Sequence, residues 1–231
     1  MANLRQVIKE ASKKAVKATL NEAAMEGFSL EELTAIPSLK GKLRYCQQFL
    51  GTPVGKGTAR IVFQIDDEKV LKLALNQKGI AQNEVEGQND WFKIQYSIFP
   101  TVFEKDDKDW AWIVSEFVLP AKRSDFKHVL GMPFEDFTWF LRRLALWHRP
   151  QNRGLIYGMP DEQAQALIDN NQICQEINDY LSNYTNVPIG DLTKLANYGL
   201  AVRGGEPYIV ILDSGLDDTV YDKYYRVKRK Q

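Results

Sequence analysis

Lys72 stands in the middle of an apolar run, "VLKLA". Burying an ammonium without a partner is costly. The position is therefore either the solvent face of a half-buried strand or a working cation. A short polar stretch downstream, "QNEVE", carries Glu84 and Glu86. Either acid could partner Lys72, and in isolation both are ordinary surface carboxylates. Late in the chain, "VPIGDLTKLANYGL" sets Asp191, Lys194 and Asn197 in one short segment, and "ILDSG" ends an apolar run on Asp213. A carboxylate at the end of such a run must be solvated, hydrogen-bonded or bound to metal. Upstream of Lys72, "GTPVGKGTARIVF" holds Gly51, Gly55 and Gly57. Glycines there either make a turn or let the backbone approach phosphate oxygens. In chain order the set suits phosphoryl transfer. A glycine turn covers the phosphates, a lysine holds two of them and a helix acid orients that lysine. A base meets the acceptor, and an amide and a carboxylate hold Mg²⁺.

The elements that must position these groups are legible in outline. "ARIVFQI", "KVLKLAL" and "WAWIVSEF" are β-branched and aromatic runs, and "DDEK" joins the first two at hairpin distance. We expect strands there, a first strand near 48–52 and another near 101–105. The stretch "GIAQNEVEGQNDWFKIQYS" predicts a helix with Ile80, Val85 and Trp91 as apolar anchors. "SLEE" offers a capping box, Ser29 with Glu32, for a short helix ending near Pro37, and another helix is expected over 38–49. Residues 3–26 carry Leu4, Ile8, Ala11, Ala15 and Ala18 at helical spacing. After Pro120 the pattern is mainly helical, with Phe137, Phe140, Leu141, Leu144 and Trp147 in one helix and a long helical run over 161–184.

Composition excludes several classes. The 231 residues are 44% hydrophobic, enough for a packed core, and thirty basic residues balance thirty acidic ones. That balance points to neither nucleic acid nor membrane. The basic "RVKRK" near the end reads as a solvated tail. Two cysteines, Cys46 and Cys174, and two histidines, His128 and His148, leave little for a zinc site. The cysteines read as reduced thiols of a cytoplasmic protein. No apolar run approaches the ~20 residues of a membrane-spanning helix.

The ordered set resembles the protein kinase-like superfamily over about 45–217. "VLKLA" is similar to that family's strand-lysine motif, "GDLTKLAN" to its catalytic loop and "LDSG" to its metal-binding turn. "SEFV", with Glu116, resembles the hinge that reads an adenine ring through main-chain groups. The compact style, with "KGIAQNEVE" after the lysine strand, resembles small kinase-like proteins encoded by bacteriophages. The resemblance implies a two-lobed α+β fold. Residues 1–44 would be a helical extension, 45–117 a β-rich nucleotide-binding lobe with an antiparallel sheet, and 118–231 a mainly helical lobe. It implies ATP and Mg²⁺ as cofactors. Lys72 would hold phosphates, oriented by Glu86 or Glu84. The loop with Gly51, Gly55 and Gly57 would close over them. Asp191 would act on the acceptor, Lys194 would steady the transferred phosphoryl group, and Asn197 and Asp213 would hold metal. A phage-encoded chain would work in the host cell cytoplasm.

The departures are specific. The glycine loop is not a clean G-x-G-x-x-G. The spacing from Asp191 to Asn197 is one residue longer than D-x-x-x-x-N, and Ser214 stands where the family's turn has phenylalanine. Eighteen residues follow Asp213, too few for the activation segment and helices of a peptide-binding lobe. The rival expectation is a kinase-like pseudoenzyme, a phage structural or host-takeover component. The helix over 3–26 and the tail "VYDKYYRVKRKQ" would then be its docking elements for a protein partner.

Overall fold

The computed structural model describes residues 27–88, 96–148, 158–183, 189–215 and 217–224. The expected helix over 3–26 and most of the tail lie outside them. The described residues form two compact units. One holds the residues up to Gln88 with Thr101–Phe117. The other holds the described residues of 89–100 and those from Val118 onward.

The first unit is built on a five-stranded antiparallel sheet, β1 (Gly55–Lys56), β2 (Arg60–Gln64), β3 (Lys69–Ala74), β4 (Val102–Lys105) and β5 (Trp112–Glu116), in the order β1-β2-β3-β5-β4. Register pairs Ile61 with Leu73, Phe63 with Leu71, and Leu71 with Val114. Side chains alternate between faces along a strand. One face is therefore apolar, with Ile61, Phe63, Leu71, Leu73, Trp112 and Val114 in a core that includes Leu33 and Cys46. Those two come from α1 (Leu30–Ala35) and α2 (Leu39–Leu50). The opposite face carries Arg60, Val62, Val70, Lys72 and Ile113.

Helix α1 starts as expected at Ser29, whose hydroxyl accepts the Glu32 amide. The return bond of a capping box is absent. The Ser29 amide donates instead to the Tyr45 hydroxyl at 2.9 Å, which donates to the Glu32 carboxylate. Buried Lys42 of α2 closes the far end of α1, donating to the carbonyls of Leu33 and Thr34 at 2.7 and 2.9 Å. Burial lowers the Lys42 pKa, against the raising effect of Asp106 and Asp109. The strand expected near 48–52 is not formed. Helix α2 runs through Leu50 and stops at Gly51, which has φ +70°. A left-handed residue ends a helix most cheaply when it is glycine.

Helix α3 (Gln77–Gly87) departs most from its sequence pattern. Its buried residues are Gly79, Gln82, Asn83, Glu86 and Gly87, whereas Ile80 and Val85 are only half-buried. The buried face is the polar one. Its tight packing depends on Gly79, where a Cβ would fall 2.2 Å from the Ala59 carbonyl oxygen.

The second unit packs helices on a three-stranded sheet, β6 (Leu119–Pro120), β7 (Tyr198–Arg203) and β8 (Glu206–Ile211), in that order. The helices are α4 (Arg123–Leu130), α5 (Phe134–His148), α6 (Asp161–Asn170), α7 (Gln172–Asn183), α8 (Ile189–Leu192) and α9 (Asp218–Tyr224). The run expected as one helix over 161–184 breaks at Asn171, whose side chain accepts the Cys174 amide and starts α7. Phe126, Phe134 and Phe137 surround Tyr198 with ring centroids 5.4–6.2 Å away. Buried Glu176 of α7 accepts from the Ile98 amide, the Tyr208 hydroxyl and the Gln172 side chain, tying α7 to β8.

Candidate functional site

Lys72 lies on the face of β3 that looks away from the apolar core, yet its side chain is only 9% exposed. Its ammonium ion-pairs with Glu86 Oε1. The other carboxylate oxygen, Oε2, accepts from Arg60 Nη1 of β2 at 2.6 Å. The same nitrogen is 3.3 Å from Asn83 Oδ1, one helical turn before Glu86. Asn83 is fully buried, and its Nδ2 donates to the Trp110 carbonyl at 3.0 Å. Burial alone would raise the Glu86 pKa, but Lys72 and Arg60 outweigh it and hold the carboxyl at about 2. Of the two candidate acids, Glu86 meets Lys72; Glu84 is half-buried on another face of α3.

Arg60 and Asn83 were not among the residues the sequence singled out. The available signal was Arg60 standing directly before the apolar run Ile61–Phe63 of its strand. Its register two positions from Lys72 is visible only once β2 and β3 are paired.

Gly51 lies outside the glycine hairpin, as the cap of α2. Gly55 and Gly57 belong to the hairpin. Gly55 pairs with Val62, and the Gly57 amide donates to the Arg60 carbonyl. Neither has a positive φ, and a Cβ at either would meet nothing closer than 3.6 Å. The hairpin is fastened to α3 by Asn76, which donates to the Thr58 carbonyl and caps the helix by accepting from Lys78 and Gly79. Glu116 ends β5. Its amide donates to the Thr101 carbonyl and its carboxylate accepts the Thr101 amide, while the Phe117 amide donates to the Glu68 carbonyl.

In the second unit the chemistry-bearing residues gather at one end of the β7–β8 hairpin. The hairpin turns on Gly204 and Gly205, both at positive φ, as a two-residue turn requires. Register then pairs Tyr198 with Ile211, and the Leu212 amide donates to the Asn197 carbonyl at 2.8 Å. Asn197 and Asp213 are thereby brought to the same end. Upstream, Asn197 Nδ2 donates to the Asp191 carbonyl at 2.9 Å, so its Oδ1 is the atom left to accept or ligate. The Asp191 carboxylate ion-pairs with Lys194, three residues on. Neither side chain caps its own turn. Tyr198 pins the segment from below, donating its hydroxyl to the Leu192 carbonyl at 2.5 Å. Burial pushes that phenol well above its ordinary pKa.

Among the described residues, no group of three or more His, Cys, Asp or Glu side chains is arranged to hold a metal by itself. Asn197 Oδ1 and the Asp213 carboxylate are hard oxygen donors. Such a set fits Mg²⁺, which commonly takes one or two protein ligands and fills its shell with water and phosphate oxygens. Among the same residues, no helix is long and apolar enough to cross a membrane.

No family model matches the chain, and no curated protein matches it. Among solved structures, the chain is similar to one described as the GDP and kanamycin complex of APH(2")-IIia. Identity is 13% and the TM-score 0.37, covering 77% of this chain and 73% of that one.

Proposed function

We propose that this chain is a kinase-like phosphotransferase core that binds ATP with Mg²⁺ and passes a phosphoryl group to a hydroxyl acceptor. The observation that carries the reading is the buried pair of Lys72 with Glu86. A lysine inside a strand, aimed by a carboxylate on the next helix, presents a directed cation. Such a cation suits the α- and β-phosphates of a nucleotide. The Gly55–Gly57 hairpin would cover the phosphates with main-chain groups, and the segment after Glu116 would read the base.

Asn197 and Asp213 would hold the metal, and bound Mg²⁺ would neutralise charge on the phosphate oxygens. Asp191 would orient the acceptor hydroxyl and take its proton. Lys194, now on Asp191, would turn to the transferring phosphoryl oxygens, where charge develops. The roles of Asp191 and Lys194 would be felt mainly where charge develops in the transition state, the kind of term that raises kcat.

The rival pseudoenzyme has one observation in its favour. Gly55 and Gly57 have ordinary φ and room for a Cβ, so nothing in their geometry demands glycine. A thermal-shift titration with ATP, with and without Mg²⁺, tests binding. A coupled assay for ADP release tests turnover. Stabilisation of about 2.7 kcal/mol at a hundredfold excess over Kd, with ADP release, is the expected outcome. ADP release removes the pseudoenzyme; binding without turnover, or no binding, removes the phosphotransferase and leaves the pseudoenzyme standing.

A further inference from the structure

We infer that Arg60 is a positioning residue for Lys72, acting through Glu86: by holding Oε2, it keeps Oε1 turned toward the lysine. The inference rests on the nucleotide-site reading above and adds a residue that the resemblance does not supply.

A carboxylate gripped by one cation can rotate about its terminal torsion and still keep the contact. Gripped at both oxygens from two strands, it cannot. Arg60 Nη1 reaches Glu86 Oε2 at 2.6 Å and Asn83 Oδ1 at 3.3 Å. It thus fixes two positions of α3, one helical turn apart, against β2. Asn83 is itself held by the Trp110 carbonyl. Lys72 must share its ammonium between Glu86 and any phosphate it meets. Arg60 holds the acid at its other oxygen, so Glu86 stays aligned while Lys72 engages ligand. A planar guanidinium can grip two acceptors at set angles, which an ammonium does less well. If Arg60 only fastened α3 to the sheet, its loss would lower stability and leave Lys72 unmoved.

The test uses the full chain with Arg60→Met and Arg60→Lys. The first readout is the ¹⁵N signal of the Lys72 ammonium, assigned by its loss in Lys72→Arg. We expect a slowly exchanging signal in the parent, broadened in Arg60→Met and intermediate in Arg60→Lys. The second is Mg²⁺–ATP affinity at a temperature where each variant is folded. Arg60→Met is expected to weaken Kd about tenfold and Arg60→Lys about threefold. A folded Arg60→Met with parental signal and parental Kd overturns the inference. If that variant does not fold, Arg60→Lys decides alone, and parental values in both readouts overturn it. If the parent binds no Mg²⁺–ATP, the nucleotide reading falls, and the ammonium signal alone decides whether Arg60 positions Lys72.

Discussion

Arg60 and Lys72 stand on neighbouring strands, two register positions apart, and close on opposite oxygens of the Glu86 carboxylate. Removing either cation leaves a buried acid with one partner. Lys72→Met is expected to cost up to about 3 kcal/mol, less than a lone buried pair would lose, because Arg60 remains. The variant should stay folded at 25 °C and show no thermal shift with Mg²⁺–ATP. Parental nucleotide stabilisation in Lys72→Met would take Lys72 out of the site.

The same carboxylate makes stability depend on acid. Its pKa is about 2 in the fold against 4.5 for an ordinary glutamate. A lowered folded-state value gives stability that is fully present above about pH 4.5 and is lost as pH falls toward 2. The difference corresponds to about 3 kcal/mol. Denaturant melts between pH 6 and 2.5 check this, with Glu86→Gln as the comparison. The variant should be weaker at neutral pH and should lose less between pH 4.5 and 2.5. Parallel pH curves for the two proteins would contradict the assignment.

Helix α3 can lie against the Ala59 carbonyl and the end of β3 at Ala74 only because residue 79 has no side chain. Gly79→Ala should destabilise the first unit by about 1–3 kcal/mol or more, since the obstacle is a backbone carbonyl. The displaced helix should also draw Glu86 away from Lys72 and weaken nucleotide binding. Urea unfolding and a Kd measurement on one sample test both.

Asp191 and Asn197 share a segment but should fail differently. Asp191→Asn loses an ion pair with a lysine that is 62% exposed. The stability cost should therefore be under about 1 kcal/mol. Turnover should fall by about 10²–10⁴, with nucleotide affinity little changed. Asn197→Ala should lose the Mg²⁺-dependent part of binding. It also frees the Asp191 carbonyl, at a cost of about 1 kcal/mol. Unchanged turnover in Asp191→Asn would reduce this segment to a structural turn.

The strands of the first unit were legible because "ARIVFQI", "KVLKLAL" and "WAWIVSEF" combine β-branched and aromatic residues with turns between them. The strand expected near 48–52 falls on the end of α2 and its cap, ahead of β1. A two-residue strand has no pattern of its own, and "QFLG" is apolar enough to pass for one. Helix α3 misled for a clearer reason. Its buried face is Gly, Gln, Asn, Glu and Gly, so a search for an apolar stripe selects Ile80 and Val85 instead. Which acid meets Lys72 depends on the rotation of that helix against the sheet, a tertiary fact. β7 is hidden because "NYGLAVR" has a glycine and only one β-branched residue, so its strand character shows only beside β8. The Gly204–Gly205 pair ahead of the β-branched run "YIVI" is the hairpin signal in the sequence.

The Gly204–Gly205 turn lies at the far end of six paired positions from Asn197, about 20 Å away at the rise of an extended strand. The turn nevertheless decides which residue after β8 stands opposite Asn197, here Leu212. The two strands work as a ruler whose zero is the glycine pair. One residue inserted there, or one removed, would shift the count and turn alternate side chains to the opposite face. Asn197 and Asp213 would then be present in the sequence and misaligned in space. Such a variant would behave in an assay like a site mutant while carrying every site residue intact.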